Sequence, residues 1–222
     1  PYLWCAANPI RFTDPTGMFT IENMSTFGNY PLILFFPSKE SADEALRFDY
    51  TAASGSQMPI VLVDDVSDFC DAMKEIGEMN ISNTKIAINS HGSEGSFFIG
   101  NEKISNDTDF SELSKVLSEK TIFIGACDTG KGESGKSFIE NFSKKTNSTV
   151  IGSMHKIKAG YKYNGDKSLN SLDPIPYKFE ESNRYIISSK GIQTTAITDF
   201  RMSKKDFFWN EKFCMPIIFK HK

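Results

Sequence analysis

Short apolar runs alternate along the chain with longer segments whose apolar residues recur at helical spacing. The runs have strand length and are rich in β-branched and aromatic residues, which predicts buried strands at 32–36, 60–63, 85–89, 122–125 and 150–152. Helices are predicted from Ser38 to about residue 53, from Asp65 or Ser67 past Ile76, from near Asp109 to Leu117, and over 136–144. A series of alternating strands and helices predicts an α/β fold, a three-layer sandwich with a mainly parallel central sheet.

Other segments have weaker patterns. Two short apolar stretches, 97–100 and 103–104, flank Asn101 and Glu102 and predict a small hairpin. Residues 158–184 are rich in Tyr, Asn, Gly, Lys and Pro, which is typical of an exposed loop or lid. The segments 184–187 and 192–197 have β character, whereas 206–219 is aromatic-rich and ambiguous.

Composition narrows the classes of protein to consider. Hydrophobic residues make up 39% and charged residues 24% of the 222 residues, as in an ordinary globular domain. The net charge of −3 gives no indication of the basic surface that nucleic-acid binding needs. The apolar run 31–36 is far too short to span a bilayer. Because the chain opens on Pro rather than Met, we expect it to be a fragment or processed product of a longer protein.

The four cysteines are scattered and form no CxxC pair, so neither a zinc site nor a disulfide framework is predicted. The domain is expected to fold where thiols stay reduced, and no cofactor is predicted. Cys70 occupies a helical core position and Cys214 stands among apolar residues, so both are interpreted as packing residues.

Two predicted strands end in reactive side chains. The strand at 85–89 leads into Ser90, His91 and Gly92, and the strand at 122–125 leads into Ala126 and Cys127. If these strands are neighbours in a parallel sheet, both side chains emerge at its carboxyl edge, where open α/β sheets place their sites. A thiol attacks a carbonyl as thiolate and needs a base, which His91 would provide. The N–H groups of Gly92 and Cys127 would form the oxyanion hole.

Taken singly, either motif has a simpler interpretation. A cysteine after an apolar strand is most often a small buried hydrophobic residue, and a His-Gly pair is most often a turn. Their occurrence on successive strands favours catalysis. His155 follows the strand at 150–152 and could line the site, but a surface-loop histidine is the simpler interpretation, and His221 in the tail is interpreted as solvated.

A second motif overlaps the first. Gly130, four intervening residues and Gly135-Lys136-Ser137 match the phosphate-loop pattern GxxxxGK[ST]. A phosphate loop needs a strand directly before its first glycine and its lysine at the start of a helix, which the chain meets only approximately. A nucleotide-binding domain should also have an acidic residue at the end of another strand, and Asp64 is the only candidate in the sequence. Nucleoside-triphosphate binding is therefore the alternative to peptidase activity.

The segments ending in Asn89-Ser90-His91-Gly92 and Gly125-Ala126-Cys127 resemble the His-Gly and Ala-Cys signatures of caspase-like cysteine peptidases, over roughly residues 30–155. The resemblance implies His91 as general base or acid and Cys127 as nucleophile. The caspase string Gln-Ala-Cys-x-Gly is missing, so cleavage after Asp is not implied. A specificity pocket would draw on residues 153–161, and Asp128 could attract a basic residue or be merely solvated.

The first eighteen residues resemble the end of the Rhs/YD-repeat core. Asn8-Pro9 and Asp14-Pro15-Thr16-Gly17 are turn signals around a short strand, 10–13, in the family's spacing. In that family the motif closes a shell around a variable C-terminal domain, which is often a toxin. Proteins of the family commonly cleave their own chain just after this motif, using core aspartates. Asp14 matches one of these aspartates, but we assign it no catalytic role. The resemblance implies self-cleavage near Met18 and Phe19.

Together these features predict an Rhs-core remnant at 1–18 followed by a caspase-like cysteine peptidase domain at 19–222. By resemblance, the domain would be the toxin or effector cargo of a bacterial Rhs-type protein, secreted or delivered into a target cell. Its expected partners are a protein or peptide substrate, the Rhs core shell and a cognate immunity protein. A caspase-like fold kept as a non-catalytic interaction module is the non-enzymatic alternative.

Overall fold

The computed structural model describes the side chains of residues 19–22, 33–38, 46, 50, 59–79, 85–156 and 185–192. It also describes the backbone of short strands at 12–13, 161–163, 172–174, 193–197, 209–210 and 213–214. Cys5, Asp14 and His221, and the side chain of Cys214, lie outside the described residues.

The strands fall into one large sheet and three small ones. Their bounds are β1 Phe12–Thr13, β2 Thr20–Glu22, β3 Ile33–Pro37, β4 Ile60–Val63, β5 Lys85–Asn89, β6 Gly92–Ser93, β7 Ser96–Ile99, β8 Glu102–Ile104, β9 Thr121–Gly125, β10 Thr149–Ser153, β11 Tyr161–Tyr163, β12 Leu172–Pro174, β13 Tyr185–Ser189, β14 Gln193–Ile197, β15 Trp209–Asn210 and β16 Phe213–Cys214. Nine of them form the large sheet, in the order β1-β2-β4-β3-β5-β9-β10-β13-β14.

The centre of this sheet is parallel and its flanks are antiparallel. The run β4-β3-β5-β9-β10 pairs in parallel throughout. On one flank β2 pairs antiparallel with β4, and on the other β13 pairs antiparallel with β10 and β14 with β13. The prediction of an α/β fold with a mainly parallel central sheet is confirmed.

Three described helices connect and cover the strands. They are α1 Val66–Glu78, α2 Ser111–Leu117 and α3 Gly132–Thr146. The start of α1 follows the predicted cap, since the Asp65 carboxylate accepts a hydrogen bond from the Asp68 N–H at 2.8 Å. By contrast, α3 begins at Gly132 rather than near Lys136, because tertiary packing stabilises a glycine-rich first turn that has low helix propensity.

Both faces of the parallel strands are buried. Alternate side chains such as Phe35, Ile88 and Ile124 join one core with residues of α1, α2 and α3. The intervening ones, including Phe36 and Phe123, are buried on the opposite face. Strands buried on both faces account for the continuous apolar runs in the sequence, as expected of a parallel sheet.

The opposite face has its own helical cover. Leu46 and Tyr50 are helical, Leu46 is buried, and the Tyr50 ring meets the Phe36 ring at a centroid distance of 6.1 Å. The remainder of the helix predicted from Ser38 lies outside the described residues. Tyr50 therefore packs on the face of the sheet opposite α1, α2 and α3.

The weaker predictions have mixed outcomes. The predicted hairpin is present as β7 and β8, and β6 extends it to three strands. The segment predicted as a loop or lid contains the antiparallel pair β11 and β12. In the ambiguous C-terminal stretch β15 pairs with β16, and near the N-terminus β1 pairs antiparallel with β2 at the edge of the large sheet. No helix in the described part of the chain is long and apolar enough to cross a membrane.

Candidate active site

His91 and Cys127 follow the ends of β5 and β9 at the carboxyl edge of the sheet. In this parallel pair Asn89 lies opposite Gly125, and His91 and Cys127 each follow two residues later. His91 is exposed and Cys127 is partly exposed, so solvent reaches both residues. The expectation that the two strands are neighbours and parallel is confirmed.

Ser90 anchors the His91 peptide. Its backbone N–H donates to the Gly125 carbonyl at 3.3 Å, which continues the β5–β9 pairing past the strand end. Its hydroxyl donates to the His91 carbonyl at 3.0 Å and accepts from the Phe98 N–H at 3.2 Å. Ser90 is 7% exposed, so these bonds are shielded from water and hold the direction in which the chain leaves β5.

Cys127 lies in a tight turn between β9 and α3. The Thr129 hydroxyl, fully buried, donates to the Ala126 carbonyl at 3.3 Å. Asp128 has a φ of 55°, in the left-handed region, and its carbonyl accepts from the Lys131 N–H at 3.0 Å. A non-glycine residue in this region is uncommon and is tolerated only where the surroundings enforce it. The turn thus fixes the backbone on both sides of the thiol.

Gly92 lies in direct contact with this turn. A Cβ at Gly92 would lie 2.7 Å from Ala126 Cβ and 2.9 Å from both the Cys127 carbonyl oxygen and Thr129 Oγ1. Real side chains do not approach so closely, so only glycine fits here. The contact places Gly92 against the carbonyl oxygen of Cys127 and the side chains of Ala126 and Thr129.

The hairpin after His91 is fastened to the same turn. The Gly95 N–H donates to the Thr129 carbonyl at 3.1 Å, which links the β6–β7 turn to the segment after Cys127. Because Ser90 also binds β7 through Phe98, the His91 segment is held at both ends. The sheet edge therefore forms one connected backbone frame around the two candidate catalytic residues.

The segment that matches the phosphate-loop pattern does not fold as such a loop. A phosphate loop wraps its ligand before the lysine opens the helix, whereas α3 already begins at Gly132. Its glycines serve packing: a Cβ at Gly135 would lie 2.5 Å from the Gly130 carbonyl carbon, and one at Gly130 would lie 3.2 Å from the Gly152 carbonyl oxygen. Close approach of α3 to the strand ends accounts for the glycine spacing.

Lys136 and Ser137 are exposed on the outer surface of α3. They line an open groove of about 390 Å³ whose other lining residues are Glu133, Glu140, Asn141 and Lys144. The groove has two carboxylates and two ammonium groups, so its lining carries no excess positive charge that would favour a phosphate.

Cys70 is not a candidate nucleophile. It is 4% exposed within α1, and burial raises the pKa of its thiol to about 11. The thiol therefore stays protonated at neutral pH and is unreactive. The interpretation of Cys70 as a packing residue agrees with this environment.

His155 lies closer to the site than its interpretation as a surface-loop residue implies. Ile124 of β9 lies opposite Gly152 of β10, and beyond this pair the Gly130 N–H donates to the Ser153 carbonyl at 2.7 Å. The Asp128 N–H donates to the His155 carbonyl at 2.9 Å. His155 is partly buried, and its Nε2 atom is buried without a hydrogen-bond partner in the described structure. His155 does lie in a loop, but the Cys127 turn packs against this segment, so the residue is not fully solvated.

Sequence reasoning assigned no function to the hydroxyls of Ser90 and Thr129, and it placed Ser153 only in a specificity pocket, whereas all three hydroxyls bind backbone groups of the site. Ser90 and Thr129 adjoin the motifs, but hydroxyl residues near strand ends are common and give no distinct signal. Their functions arise from bonds to backbone groups that only folding brings near.

One family model matches the chain. It is described as "Domain of unknown function (DUF4347)" and matches residues 48–172, a segment that includes β4 to β10 and both His91 and Cys127. No curated protein shows a significant match. Since the match covers more than half of the 222 residues, the chain belongs to the DUF4347 family.

Proposed function

We propose that the protein is a cysteine endopeptidase in which Cys127 is the nucleophile and His91 the general acid and base. The observation that supports the proposal most is the pairing of Asn89 with Gly125, each of which stands two residues before one of the candidate catalytic residues, and both of those residues reach solvent. The carboxyl edge of an open α/β sheet is the usual location of its active site.

The reaction uses both residues in turn. His91 takes the proton from the Cys127 thiol, and the sulfur forms a bond to the peptide carbonyl carbon. The carbon–nitrogen bond then breaks while His91 returns the proton to the leaving amine. Water, deprotonated by His91, attacks the resulting thioester, which releases the carboxylic acid and restores the thiol.

The oxyanion that forms in each step needs donors in place beforehand. We assign the Gly92 and Cys127 N–H groups to this function, on the basis of the close contact between Gly92 and the Cys127 peptide. Losing one such donor typically costs about 2.7–4 kcal/mol of transition-state stabilisation. The buried bonds of Ser90 and Thr129 would keep the donors fixed during the reaction.

We further propose that the fold is of the caspase-like type. The support is the mainly parallel sheet between helices, combined with His-Gly after β5 and Ala-Cys after its neighbour β9. A fold does not by itself establish an activity, so the peptidase assignment depends on the site.

Biologically, we propose a toxin or effector cargo of an Rhs-type protein, delivered into a target cell and countered by an immunity protein. The support is the resemblance of residues 1–18 to the end of an Rhs core. In the structure, β1 of this segment extends the large sheet through β2. The N-terminal segment is therefore in contact with the domain that it precedes.

The test compares cleavage of a peptide library by the 222-residue chain and by its Cys127→Ala variant, with product masses read by mass spectrometry. Cys70→Ala is the matched control, because it removes a buried thiol remote from the sheet edge. The proposal predicts cleavage by the parent chain and by Cys70→Ala but not by Cys127→Ala. Equal cleavage by the Cys127→Ala variant would contradict it, and the absence of any cleavage would favour the non-catalytic interaction module.

A further inference from the structure

Ser153 ends β10 and organises the loop that follows. Its hydroxyl donates to the His155 carbonyl at 2.8 Å and accepts from the His155 N–H at 3.1 Å. Ser153 is 3% exposed, so water does not compete strongly for either bond. The hydroxyl therefore fixes the direction of the His155 carbonyl.

The same loop holds the backbone after Cys127 at two points. The Asp128 N–H donates to the His155 carbonyl at 2.9 Å, and the Gly130 N–H donates to the Ser153 carbonyl at 2.7 Å. The carbonyl that binds Asp128 is thus the one that the Ser153 hydroxyl also binds. Through these bonds a single side chain is connected to the turn that carries the thiol.

The peptide group between Cys127 and Asp128 is enclosed from two directions. Its N–H donates to the His155 carbonyl, and a Cβ at Gly92 would lie 2.9 Å from its carbonyl oxygen. Asp128 has a φ of 55°, a left-handed conformation that a non-glycine residue keeps only where surrounding contacts enforce it. The bond to the His155 carbonyl is such a contact. Weakening it would let this peptide group turn away from Gly92, the residue that follows His91.

We propose that Ser153 is a positioning residue for the reaction at Cys127. Its hydroxyl holds the His155 carbonyl, which in turn holds the peptide group that follows Cys127. The thiol thereby keeps its position relative to His91. The inference rests on the proposed peptidase function. Because Ser153 acts through backbone groups and not on the substrate, loss of its hydroxyl should lower kcat and leave KM nearly unchanged.

The experiment compares Ser153→Ala and Ser153→Thr with a matched control, Ser143→Ala. Ser143 is fully buried in α3, and its hydroxyl forms hydrogen bonds of 2.8–3.1 Å with backbone groups of Ser148, Ser188 and Gly191. Ser148 directly precedes β10, so the control removes a comparable set of bonds at the other end of the same strand.

Three measurements are made on each variant. Steady-state kinetics on a peptide that the parent chain cleaves give kcat and KM, NMR gives the hydrogen-exchange rate of the Asp128 amide, and thermal unfolding gives the stability. Ser153→Ala should lower kcat by about 10–10²-fold, the cost of a small misplacement, with KM within about twofold of the parent. The Asp128 amide should exchange about tenfold faster, since its acceptor is no longer held. Ser153→Thr, which keeps the hydroxyl, should recover part of both losses, whereas Ser143→Ala should lose comparable stability and keep the parental kcat.

Several outcomes would overturn the inference. An equal fall in kcat in Ser143→Ala would show that the effect is one of stability alone. In Ser153→Ala, a parental kcat, a rise in KM alone or unchanged exchange at Asp128 would each contradict a positioning function. If Ser153→Ala fails to fold, Ser153→Cys in reducing buffer decides, because it keeps the volume of the side chain with a weaker hydrogen-bonding group. It should show smaller changes in the same direction, and parental values would overturn the proposal.

The two proposals fail in different ways. If cleavage depends on Cys127 but proceeds at the parental kcat in Ser153→Ala, the peptidase assignment stands and the inference falls. If the parent chain cleaves no peptide, the peptidase assignment falls, and with it the reaction that Ser153 would serve.

Discussion

Asn89 lies directly opposite Gly125 where β5 and β9 end, and the two residues are in contact through side chain and backbone. A Cβ at Gly125 would lie 2.7 Å from Asn89 Oδ1, and the Asn89 amide donates to the Phe35 carbonyl at 3.4 Å. The glycine leaves room for the asparagine, which in turn ties β5 to β3. This pairing sets the level at which the two chains leave the sheet towards His91 and Cys127.

Replacing His91 by Ala should lower kcat/KM on a cleavable peptide by about 10²–10⁴-fold, the usual contribution of a general acid and base. The side chain is exposed, so the free energy of unfolding should change little. Steady-state kinetics and thermal unfolding measure the two effects. Activity close to that of the parent chain would exclude His91 as the base.

Gly92→Ala should reduce activity more than it reduces stability. The added Cβ would meet the Cys127 carbonyl oxygen and Ala126 Cβ, so the backbone beside the thiol must shift. We expect a fall in kcat of about 10²–10³-fold, as for loss of an oxyanion donor.

The matched control for Gly92→Ala is Gly77→Ala, an exposed glycine near the end of α1 with nothing within 4 Å of the added Cβ. It should leave kcat unchanged and raise the free energy of unfolding by about 0.5–1 kcal/mol. Equal kinetics for the two variants would show that the Gly92 contact does not serve catalysis.

Ser90→Ala should lower kcat by about tenfold with little change in KM, because the hydroxyl holds the His91 peptide rather than the substrate. Ser90→Thr, which keeps the hydroxyl, should recover part of the loss. The control is Ser114→Ala in α2, whose hydroxyl likewise donates to a backbone carbonyl, that of Ser111. A rise in KM alone would contradict the positioning function.

Lys136→Ala should leave peptidase activity within about twofold of the parent, since surface substitutions remote from a site are usually nearly neutral. Gly135→Ala should lower the free energy of unfolding by about 1–3 kcal/mol, because its Cβ would overlap the Gly130 backbone. Kinetics and denaturant unfolding test both variants. Nucleotide binding that is lost in Lys136→Ala would instead revive the phosphate-loop hypothesis.

Stability should depend on Cys70 at alkaline pH. Burial raises the pKa of its thiol from 9.0 to about 11, so the folded state keeps a proton that the unfolded state loses. The stability that this proton contributes is fully present below pH 9.0 and is lost as the pH rises towards about 11. Denaturant unfolding over this range should show a steeper fall for the parent chain than for Cys70→Ala, and identical slopes would contradict the buried-thiol assignment.

Much of the secondary structure could be predicted because its signals are local. The apolar runs of β4 and β5 and the cap of α1 at Asp65 lie where their patterns indicate. The early start of α3 could not be predicted, since Gly132 and Gly135 have low helix propensity and the packing of Gly135 against the Gly130 backbone is a tertiary contact. Likewise β6 pairs with β7 in a hairpin whose turn is hydrogen-bonded to Thr129, a contact between distant segments.

The sequence by itself determined the alternation of strands and helices, the parallel centre of the sheet, and the two motifs that carry a histidine and a cysteine. These follow from local periodicity and from the residue types at strand ends. Only the tertiary structure decided that β5 and β9 pair with Asn89 opposite Gly125, that Gly92 touches the Cys127 peptide, and that His155 lies beside the same turn. Register and contacts between distant segments arise from packing and hydrogen bonds that no local pattern encodes.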